Sequence, residues 1–336
     1  MHGAGLPELS ELADAIAAAG PSVEVRTSSS AGRDPFPIHE VALGTTAADA
    51  PAVGFFGGVH GLERIGTQVV IAWLRSIVSR LAWDEVLRWQ LGHVRLLFMP
   101  IVNPAGMLRG TRANANGVDL MRNAPVDATD RVPFLVGGHR IGAGLPWFRG
   151  RADGAMQPES AALCDAVERE LLGRPLSIAL DCHSGFGLRD RVWFPYAHTR
   201  KPMPHLPELF ALVEAFTGAH PHHPYVFEPQ SRQYLAHGDL WDHLYLRSLV
   251  AGGTLLPLTL EMGSWLWVKK NPRQLFSRGG IFNPLLEHRQ ARVLRRHLPL
   301  LEFLLHAAAS HRRWLPEPGR RDPLRREARQ RWYEGP

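Results

Sequence analysis

The chain has 336 residues, 45% of them hydrophobic and 21% charged, and a formal charge of +6. That length fits one large domain or two small ones and can bury a substantial core. Two cysteines, Cys164 and Cys182, exclude a disulfide framework and a cysteine-rich metal knuckle, so any metal must be held by histidine and carboxylate.

Residues 1–7 lack a basic stretch leading into an apolar one, and no run approaches the length of a membrane span. A cytoplasmic chain with no membrane partner is therefore expected. In chain order, residues 6–19 have the spacing of a short amphipathic helix, while 23–27 and 38–44 read as strands. Residues 51–59 read as a buried strand opening onto glycines, followed by a helix over 65–81. Residues 94–100 are another strand, ended by Asn103-Pro104. From 104 to 154 the chain is rich in Gly, Asn, Arg and Pro and keeps no period; so long a stretch in a globular chain usually carries function. Beyond it, 160–172 is a helix and 176–182 a buried strand. Helices over 207–217 and 240–249, a buried strand over 255–260 and a long helix over 285–309 follow.

Strands alternating with helices predict an α/β sheet covered by helices on both faces. The domain is expected over residues 1–310, with the first ~40 residues a candidate accessory segment. Residues 311–336 hold Arg312, Arg313, Arg320, Arg321, Arg325, Arg326, Arg329 and Arg331, broken by prolines, and read as a solvated or partly helical basic tail. No zinc-finger spacing or RNA-recognition signature accompanies this charge, so nucleic acid is not an expected partner.

Sites in open α/β sheets lie beyond the carboxyl ends of strands, and three polar residues fall there. His60 follows the first buried strand, His183 ends Leu180-Asp181-Cys182-His183, and Glu261 ends Leu258-Thr259-Leu260-Glu261. Glu63 comes three residues after His60 at a helix start, so the two can reach one cation together. Alone, His60 is an ordinary strand-end histidine and Glu63 a residue that favours a helix N-terminus. With two further strand ends carrying His183 and Glu261, that bland reading weakens. His60, Glu63 and His183 form a ligand set that leaves one tetrahedral position for water, the pattern of a catalytic zinc site. A hydrolytic site of this kind also needs a carboxylate to move protons, which Glu261 offers. It needs cations for an oxyanion and for an anionic substrate, which Arg112 and Arg122 offer. Asp181 shares a strand face with His183; it either supports the site from behind or makes a structural bond at the strand end. Trp193 and Phe194 read as core or pocket rim.

The ordered set His60-Gly-Leu-Glu63, Asn103-Pro104, Arg112, Gly117-Val-Asp119-Leu-Met121-Arg122-Asn123, His183-Ser-Gly and Glu261 resembles the zinc carboxypeptidase family, over roughly residues 50–265. The resemblance implies a single domain whose twisted sheet is mixed and mostly parallel. It implies one Zn2+ per chain, held by His60, Glu63 and His183, with Glu261 as general base. By the same likeness, Arg112 polarises the scissile carbonyl. Arg122, flanked by Met121 and Asn123, grips the substrate's terminal carboxylate. Asp119 orients the first zinc histidine. The tyrosine that closes over substrate in this family would be Tyr234, with Tyr245 as competitor in a helix-like run.

One departure matters. The family usually has Asn directly before the carboxylate-gripping Arg, whereas Met121 stands here and donates no hydrogen bond. The short His-Gly-x-Glu form and the Glu261-Met-Gly ending are also similar to the related deacylase and amidase branches, which cleave N-acyl amino acids or cell-wall peptides. The resemblance thus implies zinc-dependent cleavage of an amide next to a carboxylate-bearing residue, by a metallocarboxypeptidase acting on peptides or by a deacylase. A non-catalytic binding protein on the same fold would have lost Glu261 or a ligand, and all are present. The sequence carries no signal of oligomeric state.

Overall fold

The computed structural model describes residues 5–277 and 279–334. Its strands are β1 (Glu24–Ser29), β2 (Pro37–Gly44), β3 (Ala52–Gly57), β4 (Arg95–Met99), β5 (Ser177–Ser184), β6 (Arg191–Phe194), β7 (Val226–Pro229) and β8 (Leu255–Met262). They form one sheet in the order β1-β2-β4-β3-β5-β8-β6-β7. The pairs β3–β4, β3–β5, β5–β8 and β6–β7 are parallel; β1–β2, β2–β4 and β6–β8 are antiparallel. The mixed, mostly parallel α/β sheet expected from the resemblance is present.

Alternation along the central strands feeds two apolar layers. Val53 and Phe55 of β3, Leu96 and Phe98 of β4, and Ile178 and Leu180 of β5 belong to one; Ala52, Phe56, Leu97, Met99 and Ala179 belong to the other. Both faces of these strands are buried, which is why they read as continuous hydrophobic runs.

The first layer is covered by α1 (Pro7–Ala19), α2 (Arg64–Arg80), α3 (Glu85–Leu91), α6 (Leu206–Ala219) and α9 (Glu287–Ala309). The second is covered by α5 (Pro158–Glu170) and α7 (Leu240–Ala251). In α2, Ile65, Val69, Trp73, Leu74 and Ile77 recur at helical spacing and are all buried. Short helices α4 (Pro104–Arg109), α8 (Trp265–Lys270) and α10 (His311–Trp314) sit in the connections. The long aperiodic stretch is irregular after α4, apart from a 3-10 turn at Leu120–Arg122. No helix among the described residues is long and apolar enough to cross a membrane.

One glycine fixes the centre of the molecule. A Cβ on Gly66 would lie 2.0 Å from the Cys182 carbonyl oxygen, so only glycine lets the first turn of α2 abut the end of β5. That contact brings Glu63, just before α2, beside His183 on β5.

Of the two states expected for the arginine-rich end, solvated or partly helical, the chain takes the helical one. Residues 318–332 form helix α11 (Pro318–Trp332), which packs on α6. Ala328 and Trp332 join the first apolar layer, and the Trp332 ring lies 4.7 Å from Phe194 and 5.5 Å from Phe210, centroid to centroid. Arg321 and Arg331 pair with Glu208 and Glu214 of α6 at 3.0 and 2.6 Å. Two apolar anchors four residues apart were hidden by the surrounding charge. Trp332→Ala is expected to cost about 3 kcal/mol through the cavity it leaves, read as a lower urea midpoint. An unchanged midpoint would make the helix an ornament and not part of the fold.

Candidate metal centre and active site

Nδ1 of His60, Nδ1 of His183 and the Glu63 carboxylate converge beyond the ends of β3 and β5, with their ligand atoms within 4.8 Å of one another. Glu63 Oε1 is 3.1 Å from His60 Nδ1, and Oε2 is 3.1 Å from His183 Nδ1. All three side chains are buried. Glu63 occupies the N-cap position of α2, but its side chain makes no capping bond and faces the histidines instead. Oε2 also accepts the Ser184 N–H at 2.9 Å.

Each histidine is steered by a carboxylate on its far nitrogen. His60 Nε2 meets Asp119 Oδ1 at 3.2 Å, and His183 Nε2 meets Asp181 Oδ2 at 2.7 Å. Donation from Nε2 leaves each Nδ1 lone pair directed at the shared centre, the second-layer arrangement that orients metal-ligating histidines. The donor set therefore fits a zinc ion in number, type and outer support. Asp119 is in turn held by Arg112, whose Nε donates to Oδ2 at 2.7 Å and whose Nη1 lies 3.6 Å from Glu63 Oε1.

Electrostatics follow this geometry. Burial alone would raise the Asp119 and Glu63 carboxyls. Arg112 and His60 nonetheless hold Asp119 well below the ordinary value, and the two histidines hold Glu63 low. Burial disfavours the charged His183 ring, but Asp181 and Glu63 on its two nitrogens lift its proton affinity well above that of an ordinary histidine. A proton and a cation thus compete for the same Nδ1.

Glu261 pairs in register with His183 across β5 and β8, so the two side chains emerge from adjacent strands at one level. Burial pushes its carboxyl up to about 8; His183 and Arg112 oppose that rise, while Glu63 and Asp181 reinforce it. Its Oε2 is buried without a hydrogen-bond partner among the described residues. Such an oxygen is costly unless something else meets it.

Arg122 is buried and ends the 3-10 turn, with its Nη2 donating to the Tyr234 hydroxyl at 3.3 Å and its guanidinium 5.7 Å from the Tyr234 ring centroid. Gly238, at φ +71°, backs this residue: a Cβ there would lie 1.8 Å from the Arg122 carbonyl oxygen. Tyr234 also stands edge-on to Trp193 at 5.9 Å. Its competitor Tyr245 is fully buried, with its hydroxyl accepting the His205 N–H at 3.1 Å. Tyr245 packs, as its helix-like run suggested.

Two residues expected beside the substrate are engaged elsewhere. Asn123 donates from Nδ2 to the Arg149 carbonyl at 2.9 Å and accepts the Gln157 N–H on Oδ1 at 2.6 Å, so both ends of its amide are spent bracing the loop. Met121 is buried in the second apolar layer, its N–H donated to Asp119. Asp181, left open between two roles by the sequence, takes both. Its Oδ2 accepts from His183 and from Trp241 Nε1, the latter at 2.9 Å. The alternation of a regular strand could have assigned it; nothing in the sequence pointed to Trp241.

An eight-stranded mixed sheet with a buried His-Glu-His set at its central strand ends defines the class, an α/β fold with a candidate metal centre. A family model described as zinc carboxypeptidase matches residues 11–263, and the chain belongs to that family. Over 75 residues it is 35% identical to carboxypeptidase SOL1 of Arabidopsis thaliana, a match that takes in 22% of this chain and only 15% of that protein's length. Among solved structures, thrombin-activatable fibrinolysis inhibitor superposes with a TM-score of 0.65 at 18% identity, over 90% of this chain and 73% of that one. The bovine form of that protein, in complex with tick carboxypeptidase inhibitor, gives 0.63 at 18% identity, over 91% and 96%. Carboxypeptidase A of Helicoverpa armigera gives 0.55 at 16% identity, over 87% and 71%. At these identities the structural likeness speaks to the fold.

Proposed function

We propose that this chain is a zinc-dependent hydrolase that cleaves a peptide or amide bond next to a carboxylate-bearing residue, most simply as a metallocarboxypeptidase. The observation that carries this reading is the convergence of His60 Nδ1, His183 Nδ1 and Glu63, each histidine braced by its own carboxylate, beside an unpartnered Glu261 oxygen. These three ligands would hold one zinc ion per chain. When bound, zinc lowers the pKa of water to about 7 and polarises a carbonyl oxygen.

The chain's own residues supply the rest. Arg122, with the Tyr234 hydroxyl at its guanidinium, receives the substrate carboxylate. Arg112, fixed by Asp119 within 3.6 Å of Glu63, stabilises the oxyanion as the carbonyl is attacked. Glu261, with its raised proton affinity, takes a proton from the attacking water and delivers it to the leaving nitrogen. Met121 and Asn123 add no polar contact, so the carboxylate rests on Arg122 and Tyr234.

That reduced grip favours a second reading, cleavage of N-acyl amino acids or cell-wall peptides by a deacylase or amidase. Zinc-loaded protein incubated with C-terminally free peptides, C-terminally blocked peptides and N-acyl amino acids, followed by mass spectrometry, separates the two. Release of single C-terminal residues from free peptides alone is the expected result. Turnover confined to N-acyl amino acids would replace the carboxypeptidase reading, and full zinc occupancy without any turnover would leave a binding protein.

A further inference from the structure

At the carboxyl end of β8 lies a cavity of about 230 Å3 between α8 and α9, lined by none of His60, Glu63 and His183. Lys270 of α8 and Arg289, Arg292 and Arg296 of α9 line it, with Trp267 as an apolar wall and Asp190 beneath. Four full positive charges thus face one carboxylate. His297 adds none at neutral pH, because burial pushes its proton affinity down to about 4. Asp190 is already committed: Oδ1 accepts the Gly263 N–H at 2.9 Å, and Oδ2 pairs with Arg296 at 2.7 Å. Arg292 and Lys270 have no protein partner among the described residues.

The helix is made less stable by this arrangement. Arg289, Arg292 and Arg296 follow one another at spacings of three and four, so like charges are neighbours on one face of α9. Arg289 also lies in its first turn, where the helix dipole disfavours cations. No acidic side chain lining the cavity offsets these effects beyond Asp190. A concave site that gathers guanidinium groups at such a cost suits an anion with several oxygens, which two or more forked donors can hold at once. The volume falls below the ~300–1,000 Å3 of sites for drug-sized ligands, so the ligand is small.

We propose that this cavity binds a multiply charged oxyanion, a phosphate group or a small polycarboxylate, through Lys270, Arg289, Arg292 and Arg296. The site is independent of the proposed hydrolase activity, though not of its scaffold. Gly263, which Asp190 holds, stands two residues beyond Glu261, so an anion drawing on Arg296 acts on the segment that carries the catalytic carboxylate.

The test is calorimetric titration of the full chain with inorganic phosphate and with citrate, at fixed ionic strength set by chloride. Saturable binding at one site per chain is expected, and the tighter of the two ligands names the head group. Arg292→Ala with Lys270→Ala should weaken it about tenfold or more. Arg312→Ala, on an exposed arginine of α10, should leave it unchanged, with circular dichroism melts confirming that the variants fold. Arg122→Ala controls for the carboxylate receptor of the active site. The proposal is overturned if binding is absent, if it tracks ionic strength alone, or if it is lost in Arg122→Ala and kept in Arg292→Ala with Lys270→Ala.

Discussion

Glu261→Gln is expected to lower turnover about a thousandfold while zinc content stays at that of the parent. The substitution keeps the shape of the side chain on β8 and its register against His183, but an amide cannot accept a proton from water and pass it on. It also leaves the three ligands and their supporting carboxylates untouched. Stability should not fall. In the metal-free chain the Glu261 carboxyl is raised from the ordinary 4.5 to about 8, first by burial. An acid whose folded pKa lies above its unfolded one gives stability that is complete below about 4.5 and is lost as the pH rises through about 8. Glutamine removes that titration, so the metal-free variant should match or exceed the parent in urea midpoint at pH 8. The checks are elemental analysis for zinc, initial rates on a peptide that the parent cleaves, and the midpoints. Parental rates in the variant would remove Glu261 from the mechanism; loss of zinc would make it a ligand instead of a base.

The central strands were legible because both their faces are buried, so β3, β4, β5 and β8 stand out as apolar runs, and those of β3, β5 and β8 lead into a polar residue. His60, His183 and Glu261 inherited their visibility from that punctuation. Strands β6 and β7 did not stand out, because four residues on the far side of β8 are too few to show a period. Within the loop, motif order led to Arg122 but said nothing of side-chain direction in a 3-10 turn. Three consecutive residues there diverge, so Met121 enters the core, Arg122 meets Tyr234 and Asn123 turns to Arg149 and Gln157. Tyr234 was legible only as a distance along the chain from Glu261. Its contact with Arg122 depends on Gly238, whose missing side chain lets the two segments touch.

Asp181→Asn is expected to weaken zinc binding by about 10–100-fold, the range for removing a carboxylate behind a metal histidine. Asp181 is wholly buried, and one of its oxygens accepts two donors at once, His183 Nε2–H at 2.7 Å and Trp241 Nε1–H at 2.9 Å. An ionised carboxylate can do this from either oxygen because both only accept. An asparagine can put its one oxygen where both donors meet, but that oxygen carries no full charge to strengthen the bond to the His183 ring, and its NH2 group takes the place of the unpartnered Oδ1. The first consequence is a His183 ring held less firmly with Nδ1 toward Glu63; the second is a buried amide N–H without a partner, at about 1–3 kcal/mol. Competition with a chelator measures the first, and the urea midpoint of the metal-free protein measures the second. The comparison with Glu261→Gln is what makes the result informative. That variant should lose rate and keep zinc, whereas Asp181→Asn should lose zinc first and recover much of its rate when the metal is supplied in excess. Unchanged chelator competition in Asp181→Asn would mean that Asp119, Glu63 and the strand backbone orient the centre without it.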